Sequence, residues 1–262
     1  MSRYEKFLEL HDQPVPLFLG NVWDVKSAVI MEQQGFRALG TSSAAISHML
    51  GYEDGENLSF DELLFVVKRI AAKTGLPLSV DIEGGYGREI SRVIENLEKL
   101  FELGVVGINI EDSRMEEERV LLPAGDFSEY LREIKKYLER KDMNMFINAR
   151  TDTFLLGTPS PREETVRRAK LYGEAGADGV FVPCIVEEED IRCVVSTTAL
   201  PVNVMCVPGL PPFDLLRGLG VRRISMGNFM HARLMDILKH QADKIRTEGS
   251  FKNIFENAGN GE

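Results

Sequence analysis

Eight short apolar segments recur along the chain at intervals of roughly 30 residues, which is about the length of one strand–helix unit. Helical segments that end on glycines separate them, such as residues 61–75 and 91–104. This alternation predicts an α/β protein with a single (β/α)8 TIM barrel over residues 1–262. The predicted strands are residues 16–20, 37–41, 76–81, 105–110, 145–150, 179–183, 201–205 and 222–226.

An open, doubly wound sheet is the alternative architecture, and it requires a glycine-rich phosphate-binding fingerprint after the first strand. The sequence from residue 20 reads GNVWDVKSA and has no such fingerprint, so the barrel is preferred. About residues 228–258 follow the eighth strand as a predicted C-terminal helical extension. Because eight units already close a barrel, this apolar extension packs either on its own barrel or against another subunit.

The 262-residue chain has a formal net charge of −10 at pH 7. Such a surface repels phosphate backbones and anionic lipids, which argues against nucleic acid or a membrane as a partner. The three cysteines lack metal-ligand spacing, and their odd number is typical of a reducing compartment. The N-terminal segment lacks the apolar core of a signal peptide, and no apolar run approaches the ~18 residues of a membrane span. We therefore expect a cytoplasmic protein.

Charged side chains occur where three of the predicted strands end, at the edge where barrel enzymes carry their chemistry. Alternate residues of a strand share one face, and the apolar residues of these strands belong against the outer helices. The same parity directs Asp112 outward. The side chains directed into the barrel mouth are Asp81, Glu83, Glu111, Arg150 and Asp152.

Carboxylates held this close together would raise one another's pKa unless a cation lay among them. A site of hard oxygen ligands is what Mg²⁺ prefers, with Mn²⁺ as a substitute. The alternative interpretation is a structural salt-bridge network that joins Arg150 to Asp81 and Glu111.

Further candidates lie in the loops that follow the strands. Ser42 can offer a hydroxyl and a backbone N–H to a carboxylate, and Asp54 lies in the loop beyond it. Each of these two is also a common capping or turn residue. The glycines of DIEGGYG allow a ligand to approach the backbone closely. The predicted substrate-binding residues are Ser42, Ser43, Gly84, Tyr86, Arg150 and Asn203.

Several motifs together resemble the isocitrate lyase/phosphoenolpyruvate mutase superfamily. They are VDIEGGYG, GINIEDS, FINARTDTF, GTSSAAIS followed by GYEDG, and AGADGVFVP, in the family's order over about residues 15–230. The resemblance implies an α/β barrel that binds Mg²⁺ and stabilises an enolate-like species made from a 2-oxo acid. It also implies a homotetramer or homodimer with exchanged C-terminal helices, for which the apolar stripe is Met230, Leu234, Ile237 and Leu238.

The resemblance also implies roles for individual residues. Asp81, Glu83 and Glu111 match the metal-site carboxylates, the last two largely through water. Asp54 matches a further acid of that shell. The catalytic assignments that follow are Arg150 as the arginine that contacts the substrate, Asp54, and Ser42 as the serine that anchors its carboxylate.

The chain departs from the family pattern at three places. It has Asp81-Ile82-Glu83 where Asp-x-Asp is usual. The loop after Glu111 reads DSRMEEERVLLPAGDF and lacks both the Lys-Arg-Cys-Gly-His motif of the lyases and the Lys-Thr-Asn motif of the mutases. Pro183 replaces the mutase histidine. Neither specific activity therefore transfers to this chain.

Three functions remain open. The preferred one is a Mg²⁺-dependent lyase that cleaves a C–C bond of a small 2-oxo or 2-hydroxy dicarboxylic acid through an enolate. The second is an enzyme that breaks or isomerises the P–C bond of phosphonopyruvate, which requires cationic loop contacts. Arg114 and Arg119 are the only cations of that loop and alternate with glutamates, as on a solvated face. The third is a non-catalytic barrel that binds a metabolite.

Overall fold

The computed structural model describes residues 1–256 as a ring of strands surrounded by helices. The strands are β1 (Leu17–Phe18), β2 (Gly20–Val22), β3 (Leu39–Thr41), β4 (Leu78–Asp81), β5 (Gly107–Glu111), β6 (Ser113–Met115), β7 (Arg119–Leu121), β8 (Phe146–Arg150), β9 (Gly179–Val182), β10 (Val202–Met205) and β11 (Arg223–Ser225). The helices are α1 (Arg3–Asp12), α2 (Val25–Gln33), α3 (Ser43–Leu50), α4 (Phe60–Ala71), α5 (Ile90–Glu102), α6 (Ala124–Arg140), α7 (Pro161–Glu174), α8 (Glu188–Thr197), α9 (Phe213–Leu219), α10 (Phe229–Glu248) and α11 (Lys252–Glu256).

The main sheet is parallel throughout and has the order β1-β11-β10-β9-β8-β5-β4-β3-β2. β1 and β2 together correspond to the first predicted strand, divided at Leu19. The backbone N–H of Leu19 donates to Ile224 and that of Gly20 donates to Ala38, so the first strand joins the last strand on one side and the second on the other. This closure confirms the predicted barrel. The antiparallel hairpin of β6 and β7 lies outside the ring and was not among the predicted strands.

The outer faces of the strands pack against the helices, as the parity of the sequence predicts. Val80, Ile108 and Ile147 are fully buried and belong to the largest apolar cluster of the protein. Since these residues fix which face of each strand meets the helices, the alternate residues point into the barrel.

The first helix closes the base of the barrel, at the end where the strands begin. Ser2 caps α1 through a capping box with Glu5. Phe7 and Leu10 of this helix are buried against the first residues of the strands, including Phe146. The base is therefore sealed by the N-terminal helix.

The C-terminal extension lies largely against solvent within residues 1–256. His231 is the buried side chain of α10, whereas Met230 and Leu238 of the predicted stripe are 44% and 62% exposed. Residues 257 and 258 of the predicted extension lie outside the described residues. No helix of residues 1–256 is both long and apolar enough to cross a bilayer.

Candidate active site

The mouth of the barrel brings the three predicted metal-site carboxylates together in a buried position. Asp81 is the last residue of β4 and Glu111 is the last residue of β5, while Glu83 follows two residues after Asp81. Their exposed fractions are 9%, 3% and 2%. Ser43 fixes Asp81, because its hydroxyl and its backbone N–H donate to Asp81 Oδ2 over 2.7 and 3.3 Å.

The backbone around Glu83 has an unusual conformation. Glu83, Tyr86 and Glu56 adopt positive φ angles of 49°, 57° and 58°. Such left-handed geometry is costly for residues with a side chain and concentrates at functional sites. It allows the Tyr86 hydroxyl to donate to Glu83 Oε1 over 2.8 Å and the Glu56 N–H to donate to Glu83 Oε2 over 2.7 Å. Burial, with the nearby negative charge of Asp54, raises the pKa of Glu83 to about 7.

Two arginines lie on opposite sides of Glu111. Arg150, the last residue of β8, places Nη1 2.9 Å from Glu111 Oε2, and Arg119 contacts Oε1. Arg150 also donates through Nε and Nη2 to the two oxygens of Asp152 over 2.7 and 3.1 Å. The pairs of Arg150 are thus with Glu111 and Asp152 rather than with Asp81. Burial raises the pKa of Glu111 although the two arginines oppose the shift.

Arg119 corrects the interpretation of its loop as a solvated face. In the hairpin, Met115 pairs with Arg119, and Arg114 pairs with Val120. Arg114 and Val120 are exposed, whereas the Arg119 side chain is 14% exposed and reaches Glu111. Strand parity applied to the hairpin would have separated the two arginines, but the sequence did not indicate where the hairpin turns.

Asp54 completes the acidic cluster from the loop after α3. Its Oδ2 lies 3.5 Å from Arg119 Nη2. Burial raises the pKa of Asp54, and the charge of Asp81 adds to the shift. Asp54 therefore belongs to the same electrostatic unit as the strand-end carboxylates.

The cluster matches the ligand chemistry of a divalent cation. Negative charge is in excess, because two arginines face five carboxylates, those of Asp54, Asp81, Glu83, Glu111 and Asp152. The buried Asp54 Oδ1 also lacks a hydrogen bond. Within residues 1–256, however, no group of three or more acidic, histidine or cysteine side chains is arranged to hold an ion directly. Mg²⁺ commonly retains several waters and uses one or two protein carboxylates, so both observations fit a water-rich site.

The other predicted site residues occupy different positions. Ser42 caps α3 by accepting from the Ala45 N–H, and its own N–H donates to Val22. Asn203 is buried inside the barrel, where its amide bonds Asn148, Ser225 and Val204. The structure therefore brings Ser43, rather than Ser42 or Asn203, into contact with the carboxylates.

A cavity of about 320 Å³ adjoins the cluster. Glu83, Gly84, Glu111 and Arg119 line it on the barrel side, and Tyr130 of α6 lies across from them. The Tyr130 hydroxyl donates to the Gly84 carbonyl over 3.2 Å, which holds the glycine turn at the rim.

Asp112 faces away from the mouth, as its parity predicts. Arg168 and Tyr172 of α7 donate to its Oδ2 over 2.8 and 2.6 Å, and the Asp152 N–H donates to its Oδ1 over 3.0 Å. This second network ties α7 to the strand ends and fixes the backbone of Asp152. It gives Asp112 a positioning role.

The family model of phosphoenolpyruvate phosphomutase matches residues 7–246. The chain belongs to the isocitrate lyase/phosphoenolpyruvate mutase superfamily. The predicted family is thereby confirmed, and with it an enzyme family whose members are lyases and mutases.

Three similar proteins illustrate the range of the superfamily. An uncharacterized protein of Mycobacterium tuberculosis is 34% identical over 91% of this chain and 88% of its own length. An oxaloacetate decarboxylase of Bradyrhizobium diazoefficiens is 28% identical over 87% of this chain and 79% of its own. A crystal structure from Burkholderia cenocepacia J2315, provisionally assigned as a phosphonomutase, superposes with a TM-score of 0.86 at 33% identity, covering 92% of this chain and 99% of that one.

Proposed function

We propose that the protein is a Mg²⁺-dependent lyase that cleaves a C–C bond of a small 2-oxo or 2-hydroxy dicarboxylic acid, by decarboxylation or retro-aldol cleavage, through an enolate. The observation that carries the proposal is the cluster of buried carboxylates and two arginines at the strand ends. The oxaloacetate decarboxylase among the relatives supports the same class of reaction. Mn²⁺ is expected to replace Mg²⁺.

The chain's own residues supply binding and charge. Asp81, held by Ser43, is the carboxylate that would hold the metal ion directly, with Glu83, Glu111 and Asp54 acting largely through its waters. When bound, the ion supplies Lewis-acid stabilisation of the negative charge that develops on the substrate. Arg150 adds a fixed positive charge beside Glu111, because Asp152 orients its guanidinium through two hydrogen bonds. Arg119 of the hairpin contacts Glu111 from the other side of the cluster and adds a second positive charge.

The test measures metal binding and chemistry separately. Mn²⁺ binding is followed by electron paramagnetic resonance, and the methyl protons of pyruvate are followed by NMR in D₂O with Mg²⁺. We expect Asp81→Ala to weaken Mn²⁺ binding by about 10- to 100-fold or more and to abolish exchange. Asp61→Ala removes an exposed carboxylate of α4 and serves as the matched control. Full metal affinity and full exchange in Asp81→Ala would disprove the proposal.

A P–C bond enzyme acting on phosphonopyruvate is the second candidate, because Arg119 lies in the site. Such chemistry requires cations around the transferring group, and the hairpin supplies one beside Arg150. Phosphorus NMR of phosphonopyruvate with the protein and Mg²⁺ distinguishes the two. Appearance of phosphoenolpyruvate or inorganic phosphate would favour this candidate, whereas turnover of oxaloacetate alone would favour the lyase.

We also propose that the protein assembles as a homodimer or homotetramer through α10 and α11. Leu234, Ile237, Leu238 and Phe255 are 43–74% exposed, and a second copy of the chain is the proposed cover. Light scattering at micromolar concentration tests this proposal, and a monomer would contradict it.

A further inference from the structure

The hairpin of β6 and β7 places a positive charge at the boundary between the carboxylate cluster and the cavity. Arg119 Nη1 contacts Glu111 and donates to the Ser113 hydroxyl over 3.0 Å. Nη2 lies 3.5 Å from Asp54. The side chain is 14% exposed and lines the cavity of about 320 Å³. The volume suits a small organic acid.

The two arginines of the site differ in the donors that they have available. Arg150 uses Nε and Nη2 for Asp152, and its Nη1 lies against Glu111. By contrast, Nε of Arg119 makes no hydrogen bond in the described part of the chain, and Nη2 makes only the long ion pair of 3.5 Å with Asp54. Arg119 therefore retains N–H groups that can donate hydrogen bonds to an anion bound in the cavity.

The side chains that line the cavity indicate which other chemical groups an anionic ligand would carry. Met115, Leu122 and Phe127 provide apolar surface, and Tyr130 lies beside them. Charged side chains line the rest of the rim, namely Glu56, Arg88, Arg114 and Asp126. A ligand with one further carboxylate on a short carbon chain suits this combination. Since Arg119 belongs to a separate element from Arg150, it can contact a part of the substrate that the strand ends do not hold.

We propose that Arg119 is a specificity-determining residue that binds the distal carboxylate of the substrate and selects dicarboxylic over monocarboxylic 2-oxo acids. This inference rests on the proposed function, since it takes the first carboxylate and the 2-oxo group to lie at the metal-site carboxylates and Arg150. A guanidinium recognises a carboxylate through two parallel hydrogen bonds, which a lysine ammonium does not reproduce.

The experiment compares a dicarboxylic and a monocarboxylic substrate in matched variants. The decarboxylation of oxaloacetate is measured for kcat and KM. Exchange of the pyruvate methyl protons in D₂O measures the reaction of a monocarboxylic acid. Calorimetry measures the affinity for each of the two acids. Arg119→Met removes the guanidinium and Arg119→Lys keeps a charge without the fork. Arg217→Met removes an exposed charge of α9, where Arg217 pairs with Asp214 and does not line the cavity.

We expect Arg119→Met to raise KM for oxaloacetate by about 10- to 100-fold with kcat changed by about threefold or less, which is the effect of one or two lost charge-assisted hydrogen bonds. The rate of pyruvate exchange and the affinity for pyruvate should stay within about twofold. Arg119→Lys should recover part of the loss, and Arg217→Met should change KM by about threefold or less.

Two outcomes would overturn the inference. One is an equal loss for pyruvate and oxaloacetate, which would limit Arg119 to positioning Glu111. The other is an unchanged KM and affinity for oxaloacetate. Failure of the proposed function is recognised separately, because the wild type would then catalyse neither reaction with Mg²⁺. Calorimetry would still decide whether Arg119 discriminates between the two acids, and absence of binding by the wild type would overturn the inference as well.

Discussion

The mouth and the base of the barrel both contain buried charge, but of opposite sign and in different surroundings. At the mouth, carboxylates outnumber arginines beside a cavity, and burial raises the pKa values of Glu83 and Asp54. At the base, burial lowers the pKa of Arg223 and lowers that of His11 to about 3. The Arg223 guanidinium donates to Asn109 over 3.2 Å, and its Nε and Nη1 have no hydrogen bond.

This difference shows which buried charges without a partner can take part in binding and catalysis. Surplus carboxylates beside a cavity can be neutralised by a cation or by a substrate held with arginines. The charge at the base is enclosed by α1, so only neighbouring protein groups can compensate it. Four predictions test the comparison.

The largest effect is expected when a positive charge is removed from the mouth. Arg150→Met removes the arginine that pairs with the buried Glu111 and Asp152 over 2.9 and 2.7 Å, so the free energy of unfolding should fall by about 3–5 kcal/mol. Urea unfolding of the metal-free protein measures it. Arg92→Met breaks an exposed ion pair with Glu95 and should cost about 1 kcal/mol or less. A loss of about 1 kcal/mol or less in Arg150→Met would contradict the conclusion that the buried carboxylates of the mouth depend on their arginine partner.

Removing one carboxylate from the mouth should affect activity most. Glu111→Gln is expected to lower kcat/KM for oxaloacetate by about 100-fold, because the site loses a buried charge that fixes both arginines and would hold the metal. Steady-state kinetics at saturating Mg²⁺ measures the change. Glu118→Gln, at the exposed tip of the hairpin, should stay within about twofold. Activity of Glu111→Gln close to that of the wild type would remove Glu111 from the site.

His11, at the base of the barrel, should make the free energy of unfolding decrease at acidic pH. The His11 pKa of about 3 lies below the ~6.5 of an unfolded histidine, so the unfolded chain binds a proton that the folded protein excludes. This contribution to stability is present above pH 6.5 and is lost as the pH falls towards 3. Between pH 7 and pH 5 it amounts to about 2 kcal/mol.

The control for this prediction is His11→Phe, which keeps an aromatic ring beside Phe7 and Phe146. From pH 7 to pH 5 the unfolding free energy of the wild type should fall by about 2 kcal/mol more than that of the variant. An equal pH dependence in both proteins would show that His11 does not exclude the proton.

The smallest effect is expected for the same arginine-to-methionine change at the base. Arg223→Met removes a buried guanidinium without a carboxylate partner, and Asn109 still accepts from Asn148. Stability should therefore change by about 1 kcal/mol or less, or increase. Urea unfolding beside Arg150→Met tests the contrast directly. A loss as large as that of Arg150→Met would show that the base depends on its charge.

The local pattern of the sequence was sufficient to predict the barrel. The alternation of strands and helices predicted the closed sheet, and the period of two along each strand correctly directed Asp81, Glu111, Arg150 and Asp152 inward and Asp112 outward. These are properties of neighbouring residues, since parity is fixed within one strand. The family followed from the motifs for the same reason.

Contacts between distant segments were decided only in three dimensions. The sequence could not show that Arg119 returns to Glu111, because that depends on where a hairpin turns. Nor could it show that a left-handed backbone brings Glu83 to the Tyr86 hydroxyl and the Glu56 N–H. It also could not show that α1 seals the base while α10 stays exposed, since both helices carry apolar residues. The sequence by itself thus determined the barrel and the inward set of charges, whereas the pairing of those charges and the side of the barrel that is sealed were determined by packing between segments far apart in the chain.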